Sequence, residues 1–385
     1  MSWMVPESKL DPNQRDFLQT LARDGGRNFW VRGFAGSGKS VLVVHALIHA
    51  KQENPGLRAC IVLFTRSLID LFKTGLPEGL AGVEVMTFYE FEKAPRNYDL
   101  ILVDEVQDLP ADVLGLLRKH SRRLIVAGDE AQSIYPRRVA PGDIPRLTAA
   151  TPYTLTILHR LTTRIIEIAT ALFPEKQLDT AKKSRLKNVD VTVARAEKPT
   201  DEVAYIWKKA SENALPGVPV GVLMPRHDLV TRFANEVLRQ QGKGPWRETK
   251  NKYDKPDFGA MNDHLREAGL RLRYIGNQYA GLAQTEKEGT VVLMTYQSAK
   301  GLDFETVFLP YLDSQLAIAP DAELANTLFY VAVTRTRLNL HLSYTGRPHP
   351  LVERIPEHLI HRVSLPLAES SNGPEGGDAA PDFLF

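Results

Sequence analysis

Two short segments in the first third of the chain carry the residues best suited to chemistry. Gly33-Phe34-Ala35-Gly36-Ser37-Gly38-Lys39-Ser40 fits the pattern G-x-x-x-x-G-K-[ST]. Glycines at these spacings let backbone N–H groups face phosphate oxygens, and the helix that follows adds the positive end of its dipole. In such a loop Lys39 reaches the β- and γ-phosphates, and the Ser40 hydroxyl ligates Mg²⁺. Further on, the apolar run Leu100-Ile101-Leu102-Val103 ends in Asp104 and Glu105. Adjacent acids at a strand end supply the other half of a Mg-ATP site. Asp104 holds the metal through water, and Glu105 orients or deprotonates the attacking water. Either segment alone is a modest signal. In this order, each at the end of a predicted strand, they point to nucleoside triphosphate hydrolysis.

Those residues need elements to hold them. Apolar, often β-branched runs recur at 29–32, 60–64, 100–103, 124–127, 219–224, 290–295 and 306–310, separated by helix-like stretches. Runs without polar alternation are what strands buried on both faces of a parallel sheet require. The expected fold class is therefore α/β, as two stacked domains with a boundary near 148. A chain of 385 residues has room for two such cores. Its one cysteine, Cys60, excludes an internal disulfide and a Cys-based zinc site, and reads as a buried strand residue. No apolar stretch approaches membrane-spanning length, and the start lacks a basic n-region and an apolar h-region. No membrane partner is expected, and a cytoplasmic location fits. The formal net charge of +2 gives no bulk positive field, so nucleic acid must be held by a local groove.

Two stretches break the pattern. Residues 241–259 are polar and turn-rich, with Lys243, Arg247, Lys250, Lys252 and Lys255 interleaved with Trp246 and Tyr253. They read as a strand-binding loop or as a solvated connector. No basic residue follows Arg362, and 368–385 reads as a disordered acidic tail ending in Phe383-Leu384-Phe385.

Further motifs follow in a fixed order. Gln14 lies upstream of the phosphate loop, in Leu10-Asp11-Pro12-Asn13-Gln14-Arg15. Ala127-Gly128-Asp129-Glu130-Ala131-Gln132-Ser133-Ile134-Tyr135 follows the acidic strand, and Leu158-His159-Arg160 comes next. The run from Val291 through Thr295-Tyr296-Gln297-Ser298-Ala299-Lys300-Gly301-Leu302-Asp303-Phe304, and then Phe329-Tyr330-Val331-Ala332-Val333-Thr334-Arg335, complete the set. The set resembles the superfamily 1 helicases of the UvrD/Rep branch, over residues 10–345, in a minimal form lacking the large accessory insertions.

The resemblance implies two RecA-like parallel-sheet domains stacked around an ATP cleft. These are residues 1–148, and 149–367 with a short polar insertion near 241–259, followed by the tail. By resemblance, Gln14 reads the adenine edge and Gln132 senses the γ-phosphate. Arg160 and Arg335 reach across the cleft to stabilise transition-state charge, together with Lys39, Asp104 and Glu105 as the catalytic set. Gly33, Ala35, Gly36, Ser37, Gly38, Lys39 and Ser40 hold the phosphates, with Ser40 and Asp104 on the metal. His159, Gly301 and Asp303 lie near base and ribose. Expected strand contacts are Phe64, Thr65 and Arg66, then Thr87 and Phe88, then Tyr135, Thr295 and Gln297. Hydroxyls and the arginine suit phosphates, and aromatic faces suit bases.

Departures qualify the match. Pro136-Arg137-Arg138 stands where the family carries Gly, an aromatic residue and Arg, so Arg137 would stack as a guanidinium plane or grip phosphate. Gln297 replaces a His and Asp303 a Glu. His159 replaces a Tyr that packs on adenine, leaving both stacking and no nucleotide contact open. The function implied is an ATP-dependent single-stranded DNA translocase or helicase, moving 3′→5′, using ATP and Mg²⁺, with RNA not excluded. The alternative is a nucleic-acid-binding ATPase switch that gates or recruits a partner such as a nuclease, in repair or phage defence. The end Asp382–Phe385 suits docking to a protein partner or stays unbound.

Overall fold

The computed structural model describes residues 3–24, 26–80, 82–135, 139–140, 142–182, 191–276 and 282–365. The tail segment 368–385, with Asp382–Phe385, and Arg137 lie outside the described residues. Apolar runs in the first half form β1 (Asn28–Gly33), β2 (Ala59–Leu63), β3 (Glu84–Thr87), β4 (Tyr98–Val103), β5 (Ser121–Gly128) and β6 (Ala150–Leu155). They pair in the order β3-β2-β4-β5-β1-β6, parallel throughout. The second half adds β7 (Val191–Ala196), β8 (Val220–Met224), β9 (Leu272–Tyr274), β10 (Val291–Thr295), β11 (Phe304–Leu309), β12 (Thr336–Thr345) and β13 (Ile360–Leu365). Their order is β13-β7-β12-β11-β8-β10-β9, again all parallel. The architecture is two parallel-sheet α/β domains.

Burial explains the missing polar alternation. Cys60 and Val62 of β2 face one core with Ile101 and Val103, while Ile61 and Leu63 face another with Phe17, Leu42 and Leu102. This is the two-residue alternation of a strand with apolar layers on both sides. The Cys60 thiol is fully buried, and burial pushes its pKa up. The second sheet repeats the arrangement, with Val222 and Leu293 on one face and Leu223, Val292 and Val307 on the other.

One expected border moves. The helix Asp143–Thr148 ends at Ala149, whose left-handed φ of 50° turns the chain directly into β6. That strand pairs with β1, so the first sheet runs to Leu155 and the border at 148 falls before its last strand. Strands β3, β6, β7, β9, β12 and β13 were not among the apolar runs expected, because most are short or partly exposed. Insertions are short: only residues 94–97 separate the helix Phe88–Lys93 from β4. Among the described residues no helix is long and apolar enough to cross a membrane.

Because the strands of each sheet run the same way, the loops leaving their C-terminal ends gather on one edge. On the first sheet that edge carries the phosphate loop after β1, Asp104-Glu105 after β4, Asp129–Gln132 after β5 and residues 156–160 after β6. It meets the segments that enter β11 and β12, around Lys300–Asp303 and Thr334-Arg335.

Candidate nucleotide cleft and strand face

The phosphate loop is closed by its own lysine. Lys39 Nζ donates to the carbonyls of Gly33 at 2.8 Å and Phe34 at 3.0 Å, curling the loop around the start of the helix Lys39–Glu53. Gly36 and Gly38 sit at φ 79° and 82°, where a side chain is strained. A Cβ on Gly38 would also come within 2.3 Å of Gln14 Nε2. Gln14 is the N3 residue of a capping box with Asp11 and is buried beneath the loop. Its amide nitrogen donates to the Ser37 carbonyl at 3.1 Å, and its oxygen accepts from the Asp11 N–H at 3.1 Å. One amide N–H and one oxygen lone pair stay uncommitted.

The two adjacent acids are held in unlike states. The Ser40 hydroxyl donates to Asp104 Oδ2 at 2.5 Å, and the Glu105 N–H donates to Oδ1 at 3.0 Å. Burial, reinforced by the neighbouring Glu105 charge, pushes Asp104 up. Burial opposes ionisation of Glu105 as well. There Lys300 first, then Lys39, the Gln107 amide and Arg335 outweigh it and hold its carboxyl low. Glu105 also adopts a left-handed φ of 55°, a sparsely populated conformation for a residue with a Cβ. Its carboxylate accepts from Gln107 Nε2 at 2.5 Å, and Gln107 Oε1 accepts the Asp129 N–H at 3.0 Å, tying β4 to β5.

Three sets of contacts close the cleft. Arg335, 2% exposed, donates from Nη2 to Gln132 Oε1 at 2.7 Å and from Nε to the Val331 carbonyl at 3.0 Å. Burial, followed by repulsion from Arg160, lowers its pKa to about 10. Gln132 in turn donates to Asp129 Oδ2 at 2.7 Å. Arg160 pairs with Asp303 and donates to the Thr334 carbonyl at 2.9 Å. Asp303, expected near the ribose, thus binds Arg160 and also lies 3.6 Å from Arg337. The third grip is Lys300, which pairs with Asp108, donates to the Gln132 carbonyl and stands 3.7 Å from Glu105. Despite Lys300, burial raises Asp108 to about 6.

Lys300 is the residue that sequence reasoning left out of the site. It lies inside the motif run around Gly301, but a lysine beside glycine reads as solvated until its burial, 4% exposed, is seen.

The open cleft, about 730 Å³ in volume, is lined by Gln14, Lys39, Glu105, Gln132, Arg160 and Arg335, and by Ala35, Gly36, Gly38, Ser40, His159, Gly301 and Asp303. Of the expected nucleotide set, Gly33, Ser37 and Asp104 are not on its wall. They act from behind, through the contacts just given and, for Gly33, through its carbonyl. His159 binds Asp11 Oδ2 through Nε2 at 2.6 Å while its backbone N–H donates to Gly36. Two of the buried polar atoms without a partner among the described residues belong to the expected nucleotide set, Arg160 Nε and Ser37 Oγ. An unsatisfied Arg160 Nε–H in a cavity that Lys39 and Arg335 also line fits a polyanionic nucleotide. Ser40 and Asp104 are hard oxygen ligands of the kind Mg²⁺ takes.

The expected strand face divides in two. Phe64 stacks on Tyr135, with centroids 4.0 Å apart, and on Phe88 at 5.1 Å; Phe88 in turn meets Tyr89 at 3.8 Å. Phe88 is 3% exposed and belongs to the core, so its ring is closed to a base; Tyr89, 56% exposed, ends the stack. The Thr87 hydroxyl is buried in a capping box with Glu90. Thr65 caps the helix Arg66–Gly75, and buried Thr295 bonds Ser298. The Thr87 O–H donates to the Glu90 carboxylate at 3.0 Å and the Thr295 O–H to Ser298 Oγ at 2.9 Å, so in this structure neither is free for a phosphate, contrary to expectation. Arg66 is exposed, and Phe64, Tyr135 and Gln297 are partly so.

Family models match two successive stretches. The viral superfamily 1 RNA helicase core domain matches residues 29–220, and the UvrD-like helicase C-terminal domain matches residues 259–347. No curated protein matches the chain. Among solved structures the chain is similar to a Pif1 helicase, from a structure of two coordinating Pif1 helicases unwinding forked double-stranded DNA. Identity is 13%, covering 86% of this chain and 92% of that one, with a TM-score of 0.48. It is also similar to arterivirus nonstructural protein 10, a helicase, solved with DNA: 15% identity over 84% of this chain, TM-score 0.41. The same viral protein without DNA gives 16% identity over 83% of this chain and a TM-score of 0.40. The match spans 62% and 60% of the two viral chains.

Proposed function

We propose, on the premise that this chain belongs to the superfamily 1 helicases of the UvrD/Rep-like type, that it is an ATP-driven single-strand translocase acting on DNA in the 3′→5′ sense. The observation that carries the reading is the double grip on Gln132. Arg335 holds its side chain and Lys300 its backbone carbonyl, both from the second domain.

ATP as substrate lies in the cleft with its phosphates against the loop N–H groups and Lys39. Gln14 offers the adenine edge its uncommitted N–H and lone pair. Ser40 and Asp104 would hold Mg²⁺, which when bound would neutralise charge developing on the phosphates. Glu105, kept ionised beside Lys300, accepts hydrogen bonds from the attacking water and orients it. Arg335 and Arg160 stabilise charge on the transferring γ-phosphate, for which Arg160 must leave Asp303. Loss of that phosphate removes what Gln132, Arg160 and Arg335 share, and the two domains separate. A strand held by Phe64, Arg66, Tyr135 and Gln297 is gripped alternately as they open and close.

A second reading rests on the short connections. With only residues 94–97 between the helix Phe88–Lys93 and β4, the chain carries no accessory domain there. It would then serve as an ATP-gated switch recruiting a partner such as a nuclease, with Asp382–Phe385 as the docking end.

ATP turnover should be measured with and without single-stranded DNA and, separately, RNA, alongside displacement of streptavidin from either strand end. Stimulation with one-sided displacement from the 5′ end is expected for 3′→5′ movement on DNA. Stimulation without displacement selects the switch. Turnover indifferent to both nucleic acids would sink the motor.

A further inference from the structure

The polar insertion of the second domain is an ordered projection with an aromatic tip. Its base is anchored. Trp246, 6% exposed, sits in the second-domain core, and its backbone exchanges two hydrogen bonds with Asn235, at 2.7 and 3.1 Å. Lys250 and Pro256 form an antiparallel bridge, and the Asp257 N–H donates to the Thr249 carbonyl at 2.7 Å. Between them the chain turns through Asp254 at φ 58° and presents Tyr253, 69% exposed. Residues 243–255 hold five cations against two carboxylates, Glu248 and Asp254. Lys250 pairs with Asp254, whereas Arg247, Lys252 and Lys255 have no carboxylate partner among the described residues.

Position separates this loop from an ordinary solvated connector. The helix His227–Gln240 starts where β8 ends, and its first residue, His227, lies 5.2 Å from Phe258 at the loop's far end. His227 Nε2 is 2.9 Å from the Tyr274 hydroxyl. A Cβ on Gly276 would touch both that hydroxyl and Ser298 Oγ, which binds Thr295. The end of the loop therefore stands on the C-terminal edge of the second sheet, beside the segment 295–298 that carries Gln297.

We propose that residues 247–255 form a second-domain binding site for single-stranded nucleic acid, with Tyr253 stacking on a base and Arg247, Lys252 and Lys255 contacting phosphates. The proposal rests on the strand-translocase reading and extends its track beyond Gln297. An exposed ring among cations, on a rigid base, combines the two terms that bind a single strand without reading its sequence. Lys252 already lies over the Tyr253 ring, at 5.1 Å, so the ring is available on its other face.

The test uses the full chain and fluorescent oligodeoxythymidylate, read by anisotropy across a salt series. Y253A should weaken binding roughly 5- to 140-fold, the range of one lost stacking contact. K252Q/K255Q should flatten the slope of log affinity against log salt by about 1.4, two single-strand phosphate contacts. Both variants should keep the wild-type melting temperature, because their side chains are exposed. Photo-crosslinking from a 5-iodouracil strand should recover the peptide around Tyr253. Wild-type affinity and slope in both variants, with crosslinks confined to the first domain, would overturn the loop while leaving the translocase reading intact. A wild-type protein that binds no single strand overturns both.

Discussion

The guanidinium of Arg335 and the side-chain oxygen of Gln132 lie 2.7 Å apart, a hydrogen bond joining residues of opposite sheets. Gln132 follows β5 and Arg335 enters β12, so the bond exists only while the domains are closed on each other. In the proposed mechanism Gln132 and Arg335, touching directly, share one fate on hydrolysis. Arg335→Lys should keep ATP binding and lower turnover by about 10³-fold or more, since a lysine lacks the fork that reaches Val331, Gln132 and phosphate together. Stopped-flow binding of a fluorescent nucleotide and steady-state turnover measure the two separately. Turnover near wild type would remove Arg335 from the mechanism.

Glu105→Gln is nearly isosteric and keeps a group beside Gln107, but it cannot accept a proton or carry the charge that Lys300 and Lys39 hold in place. The variant should bind ATP normally and show no turnover above background. Wild-type rates would refute the role given to Glu105.

Lys300→Met leaves Asp108 and Glu105 without the buried cation between them. Breaking such a pair on one side costs about 3–5 kcal/mol, which chemical denaturation would read directly. The double variant Lys300→Met/Asp108→Leu should recover much of the stability but not the turnover. Full recovery of both would make the pair purely structural.

Phe88 and Tyr89 are neighbours with opposite expected phenotypes. Phe88→Ala opens a cavity in the first-domain core and should cost about 3–5 kcal/mol of stability. Tyr89→Ala should leave the melting temperature unchanged and weaken single-strand binding by about 1–3 kcal/mol. Equal effects on stability would show that Tyr89 is a packing residue.

His341 stacks on Phe308 at 4.6 Å, with a buried Nδ1 that has no partner among the described residues. Burial first, then the charge of Lys209, lowers its pKa from 6.5 to about 4, and Tyr205 and His361 share its cavity. A histidine kept neutral in the fold contributes fully above pH 6.5. It loses that contribution as pH falls toward 4, because the unfolded chain takes the proton first. The loss reaches as much as about 3 kcal/mol. His341→Phe preserves the stack and should flatten the acid limb of the stability profile between those values. An unchanged limb would assign acid sensitivity elsewhere.

Much of the nucleotide cleft was legible in the sequence because its parts are local. A phosphate loop needs eight consecutive residues, and the acid pair needs one apolar strand before it. The unbroken apolar runs around Ile61, Ile101 and Val292 likewise required parallel strands covered on both faces, whatever their order. Pairings across the chain were not legible. No local pattern places β6 beside β1, exposes Tyr89 while closing Phe88, or spends the hydroxyls of Thr87 and Thr295 on their own backbone turns. Lys300 shows the reason most plainly. A lysine is solvated by default, and only the carboxylate of Asp108, brought across from the other sheet, makes its burial favourable. The sequence by itself determined which groups could bind and cleave a nucleotide. Tertiary structure decided which of them meet, because a buried charge or an enclosed ring is defined by neighbours remote along the chain.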